Sequence, residues 1–322
     1  MLGSVTLLLS RSSLESVLNI DTCLRALREG FTSGPPAVAP QRIRTGLPGA
    51  GTATTLIPGL IEGIPAYTVK VNAKFPGARP ALRGVVCLHH LDDGELLAVA
   101  DSATVTAWRT GLSAALGTHE LARADARVIA VIGAGAQAEL VLRGLAALRS
   151  FSRLLVCDLD PRRAESFARR LAATAAAGSC DVVSDAAEAA RAADVIVTAT
   201  WSREPLLDIA DVRPGAHVTS LGADEPGKAE LTAALLRASR VIVDDVTLAV
   251  SMGALGSAGL TAADAAGTLA EVLRGDAPGR RHPDEITVYA PVGLPWQDLA
   301  LTWLAYRRAR PSGAGLNFNF LD

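Results

Sequence analysis

The chain has 322 residues, 20% of them charged, and a net charge of −2. That length accommodates two domains, each able to bury its own core, and the near-neutral balance gives no footing for a polyanionic partner such as a nucleic acid. The four cysteines, Cys23, Cys87, Cys157 and Cys180, show no CxxC or metal-ligand spacing, and the five histidines, including His89-His90, form no HxH or HxxxH set, so a reduced protein without a metal site is expected. Residues 1–10 are apolar but lack a basic start, and longer apolar stretches are interrupted by Arg, Asp or Glu, which predicts a cytoplasmic protein without a membrane partner.

Residues 4–10 have the pattern of a strand, and Ser13–Arg28 that of a helix with Leu14, Val17, Leu18, Leu24 and Leu27 roughly on one side. Ser33-Gly34-Pro35-Pro36 ends it. Short strands separated by Gly/Pro clusters follow at Arg42–Thr45, Thr54–Ile57, Ala66–Asn72, Gly84–His89 and Leu96–Ala100, with Asp92-Asp93-Gly94 as a hairpin turn. Ser102–Leu121 is a helix whose small residues Ala107, Gly111, Ala114 and Ala115 permit close packing.

The clearest signal comes next. Val128–Ile132 is an apolar run of strand length that breaks at Gly133-Ala134-Gly135, a helix follows from Gln137 to Leu148, and a second apolar run ends on Asp158. Strand, Gly133-x-Gly135-x-x-Ala138 turn, helix, strand and an acid about 20 residues beyond the turn form a dinucleotide fingerprint. Gly133 and Gly135 clear the backbone so that a pyrophosphate can approach N–H groups at the positive end of a helix. Asp158 is placed to accept the ribose hydroxyls, which favours NAD and makes NADP the less favoured cofactor, with Arg162 and Arg163 close enough to soften the preference.

Beyond it, Pro161–Ala176 is predicted as a helix, Asp181–Ser184 as a strand, Ala186–Ala193 as a helix, and Asp194–Thr200, Ala216–Gly222 and Arg240–Asp245 as strands, with Lys228–Ala238 helical. Such alternation implies a Rossmann-type, doubly wound parallel sheet in an α/β protein. A helix at Thr268–Arg274, a strand at Ile286–Tyr289 and a helix at Trp296–Arg310 complete the chain. With no further strand for it to pair with, the last helix is assigned to the N-terminal domain. Residues 1–121 and 294–322 then form a smaller α+β domain, and residues 122–293 the dinucleotide-binding domain.

Arg44, Lys70 and Arg109 stand in strands or on a small-residue helix, where a long cation needs an anion if it is buried and needs nothing if it is solvated. Asp224 follows the strand ending near Gly222, at the edge where an open α/β sheet binds ligands. It is either a general base or a cap on the following helix.

The stretches Leu96–Ser102, Thr106–Gly111, Gly133–Ala138, Gly222–Leu231 and Pro291–Leu294 resemble, in order, motifs of the ornithine cyclodeaminase and mu-crystallin family, and the resemblance runs from about Arg42 to Leu301. It implies a homodimer joined through the substrate domains, and a small amino-acid or imino-acid substrate. Carried over residue by residue, it places Arg44, Lys70 and Arg109 on the substrate carboxylate. Lys70 and Asp224 become the catalytic pair, with Asp224 as acid/base. Arg109, Gly133, Gly135, Ala136, Gln137, Asp158, Thr200, Leu221, Gly222, Lys228 and Val292 are implied at the dinucleotide.

Three departures qualify the resemblance. Thr55-Leu56-Ile57-Pro58 lacks the acid that ornithine-specific members carry, Gly84 replaces a hydroxyl residue, and Pro291 replaces a serine. The expected reaction is therefore NAD-dependent oxidation at the Cα–N bond of a small amino acid, or the reverse reduction of an imine. Cyclodeamination of ornithine to proline and ammonia with recycled NAD is the alternative, and a mu-crystallin-like binder of a nicotinamide cofactor without turnover is the second.

Overall fold

The computed structural model describes residues 5–34, 41–49, 51–75, 77–78, 81–172 and 177–320. Pro35, Pro36 and the expected end of the helix at 173–176 lie outside the described residues. The chain divides into two compact units, Met1–Arg109 with Leu294–Asp322, and Thr110–Gly293. The first unit ends at Arg109, inside the helix Ser102–Leu121, rather than after that helix.

Among the described residues, the first unit holds a sheet built from β1 (Thr6–Leu9), β2 (Ile43–Gly46), β3 (Ala53–Gly59), β4 (Ala66–Lys74), β5 (Leu82–His90) and β6 (Leu96–Asp101), closed at one edge by a strand after the last helix, Leu316–Phe318. That last strand was not expected from the sequence. β2 to β6 run antiparallel in succession, and β6 pairs parallel with β1. Register places Ile57, Lys70, Val86 and Ala100 side by side across four strands. All four are buried, so a lysine occupies the middle of an otherwise apolar row. The helix Pro295–Ser312 packs on β3, β4 and β5 and against the helix Ile20–Thr32. The ring of Trp296 meets Phe31 edge-on at 5.0 Å, and only a glycine fits at position 30, beneath the same indole.

The single helix expected over Ser13–Arg28 is two, Arg11–Val17 and Ile20–Thr32. Side-chain caps explain the break: Ser10 Oγ accepts the Ser13 N–H, and Asn19 Oδ1 accepts the N–H groups of Asp21 and Thr22 to start a second helix.

The second unit is a fully parallel sheet. Its strands are β7 (Val128–Ile132), β8 (Phe151–Cys157), β9 (Ala177–Val182), β10 (Val195–Thr198), β11 (His217–Ser220), β12 (Arg240–Val243), β13 (Gly267–Thr268) and β14 (Thr287–Tyr289), which makes Leu316–Phe318 β15. Their order is β9-β8-β7-β10-β11-β14-β12-β13. β10, β11, β12 and β14 are buried along their whole length and β7 from Ile129 on, as a sheet covered on both faces requires: Ala130 and Ile132 enter one apolar cluster, Ile129 and Val131 the other. The chain leaves β7 toward β8 and β9 on one side and resumes with β10 and β11 on the other, so the topological switch point lies between β7 and β10.

Two local expectations shift. The strand expected at Asp181–Ser184 is β9, Ala177–Val182, and the helix expected to begin at Lys228 begins at Ala233, with Thr232 as its cap. No helix among the described residues is long and apolar enough to cross a membrane.

Candidate functional site

In the first unit, Lys70 of β4 is 1% exposed and its Nζ lies 2.5 Å from Asp298 Oδ2. Asp298, itself buried, sits in the first turn of the helix Pro295–Ser312. Its other oxygen accepts from Arg109 Nε at 3.3 Å, while Arg109 Nη1 donates to Gln297 Oε1 at 3.5 Å. The sequence spaced Lys70 and Arg109 far apart; the sheet and the last helix bring them onto one carboxylate. Burial pushes the Lys70 ammonium down to about 7, with the charges of Arg109 and Arg42 acting the same way and Asp298 opposing them. Burial works against ionisation of Asp298, yet Lys70, Arg109 and Arg42 outweigh it and hold the carboxyl below its ordinary value. Two buried cations, Lys70 and Arg109, against one carboxylate leave a surplus of positive charge, and a buried surplus of that sign is met by an anion.

Arg44 does not join this cluster as expected. It is exposed on β2, opposite Thr55, whereas Arg42, two residues earlier, is partly buried and is the arginine whose charge acts on Lys70 and Asp298.

In the second unit, the turn after β7 has the geometry that a pyrophosphate needs. Gly133 has φ of 99°, and a Cβ there would stand 2.5 Å from the carbonyl oxygen of Ala199, so both conformation and space demand glycine. Gly135 caps the helix Ala136–Leu148 without a side-chain hydrogen bond, and the space where its Cβ would project is open. Gly135 and Ala136 are exposed and Gln137 partly so, which leaves the first turn of a 13-residue helix accessible to an anion. Asp158, one residue past β8, accepts the Ala134 N–H at 2.8 Å and the Asp160 N–H at 2.9 Å, with Arg163 Nη1 at 3.8 Å. These contacts fix the carboxylate beside the glycine turn. The residues present therefore fit a dinucleotide.

Past β10 and β11, a buried carboxylate organises the loops. Glu230 Oε1 accepts from Thr200 N and Thr200 Oγ1 at 2.7 and 2.8 Å, and Oε2 from Thr198 Oγ1, Ser220 Oγ and Gly222 N at 2.6, 2.8 and 2.8 Å. Gly222 has no side chain because a Cβ would stand 2.3 Å from Glu230 Oε1. Leu221 is buried and extends the ladder by donating to the Thr198 carbonyl. Val292 is buried as well, its N–H held by Asp244 Oδ1 at 3.0 Å.

Asp224 caps no helix, since the next one starts at Ala233. Its Oδ1 lies 2.7 Å from Lys228 Nζ, which also approaches Glu225 at 3.4 Å and stands 4.9 Å from the centre of the Trp201 ring. Burial opposes the charge on Lys228, but Asp224 and Glu225 outweigh it and raise its pKa. Lys228, expected at the dinucleotide, is thus engaged by the acidic residues beside it, and the partly exposed Asp224 keeps an oriented carboxylate at the strand edge.

The sequence matches the model of the ornithine cyclodeaminase/mu-crystallin family over residues 4–313. The chain belongs to that family. An archaeal alanine dehydrogenase, whose structure is a dimer with bound NAD, superposes with a TM-score of 0.89 at 28% identity, over 98% of this chain and all of that one (100%). The Thermococcus litoralis Δ1-pyrroline-2-carboxylate reductase, solved with NADH and L-proline, gives 0.89 at 26% identity, covering 97% and 100%. The L-lysine cyclodeaminase of Streptomyces rapamycinicus is 32% identical over 84% of this chain and 79% of its own.

Three residues of this family member escaped the sequence reading. Asp298 and Gln297 lie on a helix that reads as ordinary packing, and Glu230 sits in a stretch that resembles a helix start. The available signal was the same in each case: an acid or amide, Gln297-Asp298 between Trp296 and Leu299 or Glu230 before Leu231, placed where the neighbouring residues are apolar and burial demands a partner.

Proposed function

We propose that the chain is an NAD-dependent oxidoreductase acting on the Cα–N bond of a small amino acid, as an amino-acid dehydrogenase or imine reductase. The observation that carries this is the buried surplus of positive charge around Asp298, in a family whose members act on amino and imino acids. Lys70, Arg109 and Arg42 hold the substrate carboxylate, and a desolvated ion pair of this kind orients the molecule as well as binding it. NAD, when bound, accepts the hydride from Cα. Gly133, Gly135, Ala136 and Gln137 receive its pyrophosphate, Asp158 its ribose, and Thr200, Leu221, Gly222 and Val292 line its nicotinamide end. Asp224 exchanges a proton with the substrate nitrogen or with the water that attacks the imine, so that amino acid, NAD and water give 2-oxo acid, ammonium, NADH and a proton.

Ornithine cyclodeamination is disfavoured by β3, where Ala53–Gly59 contains no acid to hold a second ammonium. Incubating the pure protein with NAD and a panel of amino acids, while following NADH absorbance and products, tests the reading. NADH accumulating with a monoamino acid, or consumed with a cyclic imine, is the expected result. Proline and ammonia from ornithine without a lasting NADH signal would overturn it in favour of the cyclodeaminase.

The same proposal includes a homodimer. On the sheet face away from Lys70, Ile43, Leu56, Val71 and Val85 are in register across four strands, and Ile43, Leu56 and Val85 are 61%, 40% and 38% exposed. An apolar row of this kind fits a second copy of the sheet better than water.

A further inference from the structure

We infer that Glu230 carries a fixed negative charge that favours the oxidised over the reduced nicotinamide cofactor. This rests on the proposal that the second unit binds NAD, and goes beyond it by assigning a redox preference to one residue. Glu230 is fully buried, and every one of its contacts is one in which a carboxylate oxygen accepts: two backbone N–H groups, one on each oxygen, and three hydroxyls. The backbone N–H groups of Thr200 and Gly222 can only donate, one to each oxygen, and three donors converge on Oε2 alone, which is the contact pattern of a carboxylate. Among the described residues no lysine, arginine or histidine forms an ion pair with it. Asp224 differs, since Lys228 balances its charge at 2.7 Å.

The position of this charge follows from topology. Asp158 and β8 take the adenosine side of the switch point, so the nicotinamide half of the dinucleotide extends over β10 and β11. Glu230 ties together the residues that leave those two strands, Thr200 and Gly222. The oxidised nicotinamide ring is cationic and the reduced ring neutral, so an uncompensated buried anion behind the loops lowers the energy of the first alone. At an effective interior dielectric, one charge across a loop's thickness shifts such an equilibrium about tenfold. Glu230 is a positioning residue for the two loops in the same structure; the charge is a separate consequence with its own readout.

The test compares dissociation constants of NAD and NADH, by calorimetry, for wild type and Glu230→Gln, with ADP-ribose as a reference that lacks the nicotinamide ring. We expect NAD binding to weaken about tenfold more than NADH binding in Glu230→Gln. Equal weakening of both forms would make Glu230 a strut only and overturn the inference. Wild-type protein that binds ADP-ribose but discriminates between neither redox form nor the variant would do the same, whereas wild-type protein that binds none of the three removes the proposed NAD function itself, and the inference with it. If Glu230→Gln does not fold, Glu230→Asp decides the matter. It keeps a carboxylate while loosening its contacts to the two loops, so NAD and NADH binding should weaken together and the preference between them should stay; a preference lost with the carboxylate still present overturns the inference.

Discussion

The two units bring opposite electrostatics to their ligand-binding residues. In the first, Lys70 and Arg109 share one carboxylate, Asp298, and leave a buried surplus of positive charge. In the second, the first helical turn after the glycines is accessible to an anion, while Glu230, among the described residues, accepts only from backbone N–H groups and hydroxyls. The contrast teaches that a carboxylate-binding site needs formal charges held by packing, whereas a pyrophosphate site is made from backbone alone. The first is therefore fragile to single substitutions and the second to changes of conformation.

The largest expected effect falls on the group that belongs to neither pattern. Asp224→Asn should lower turnover by roughly 10²–10⁴-fold while leaving NAD affinity nearly unchanged. Steady-state kinetics with a separate NAD titration checks this. Turnover near that of wild type would leave Asp224 as the partner of Lys228 and nothing more.

Next come the cations. Lys70→Ala and Arg109→Ala should each cost roughly 2–5 kcal/mol of substrate binding, as for one member of a desolvated charge pair, with NAD binding intact because the nucleotide-binding residues lie in the other unit. Arg42→Ala should weaken substrate binding in the same direction, and Arg44→Ala should leave it unchanged. If Arg44→Ala were the damaging member of that pair, the sequence assignment would be right and the assignment from burial wrong.

Those two arginines mark the boundary of what a sequence reveals. The fingerprint from Val128 to Asp158 was legible because its logic is local: a strand, two glycines and a helix start are consecutive, and conformation alone dictates the residues. Lys70 and Arg109 were legible as cations out of place. Asp298 was not, because it stands 228 positions from Lys70 in the sequence, and its apolar neighbours say only that it needs a partner, not which one. Arg42 and Arg44 have the same strand-like setting, and only the depth of each position separates them. Glu230 was hidden for a related reason. Its donors come from the ends of β10 and β11, and the helix expected to contain it starts three residues later.

A third measurement addresses the adenosine end. Asp158→Ser should reduce the preference for NAD over NADP, about tenfold or more, since the carboxylate beside the glycine turn repels a 2′-phosphate. Titration of both cofactors against both proteins reads this. Tighter binding of NADP to the wild type would detach Asp158 from the ribose and point to Arg162 or Arg163.

The last effect is the one that most sharply separates the two units, because it titrates the first and leaves the second alone. Burial lowers Lys70 from an unfolded value of roughly 10.4 to about 7 in the folded chain. Below about pH 7 the ammonium is present and a carboxylate ligand is bound at full strength. As pH rises through 7, the proton leaves and affinity weakens, by up to about tenfold per pH unit. Stability moves the other way. Across the window from about 7 to roughly 10.4 the unfolded chain holds the proton that the folded one has released, so the cost of burying this ammonium, present in full below 7, is relieved as pH rises. Substrate affinity should thus fall while the contribution of Lys70 to stability improves over the same range, and NAD affinity should stay level. Lys70→Met removes the titrating group and keeps the apolar stem. Both slopes should vanish in that variant, as followed by ligand binding and by denaturant midpoints between pH 6 and 9; slopes that persist would assign the titration to another group.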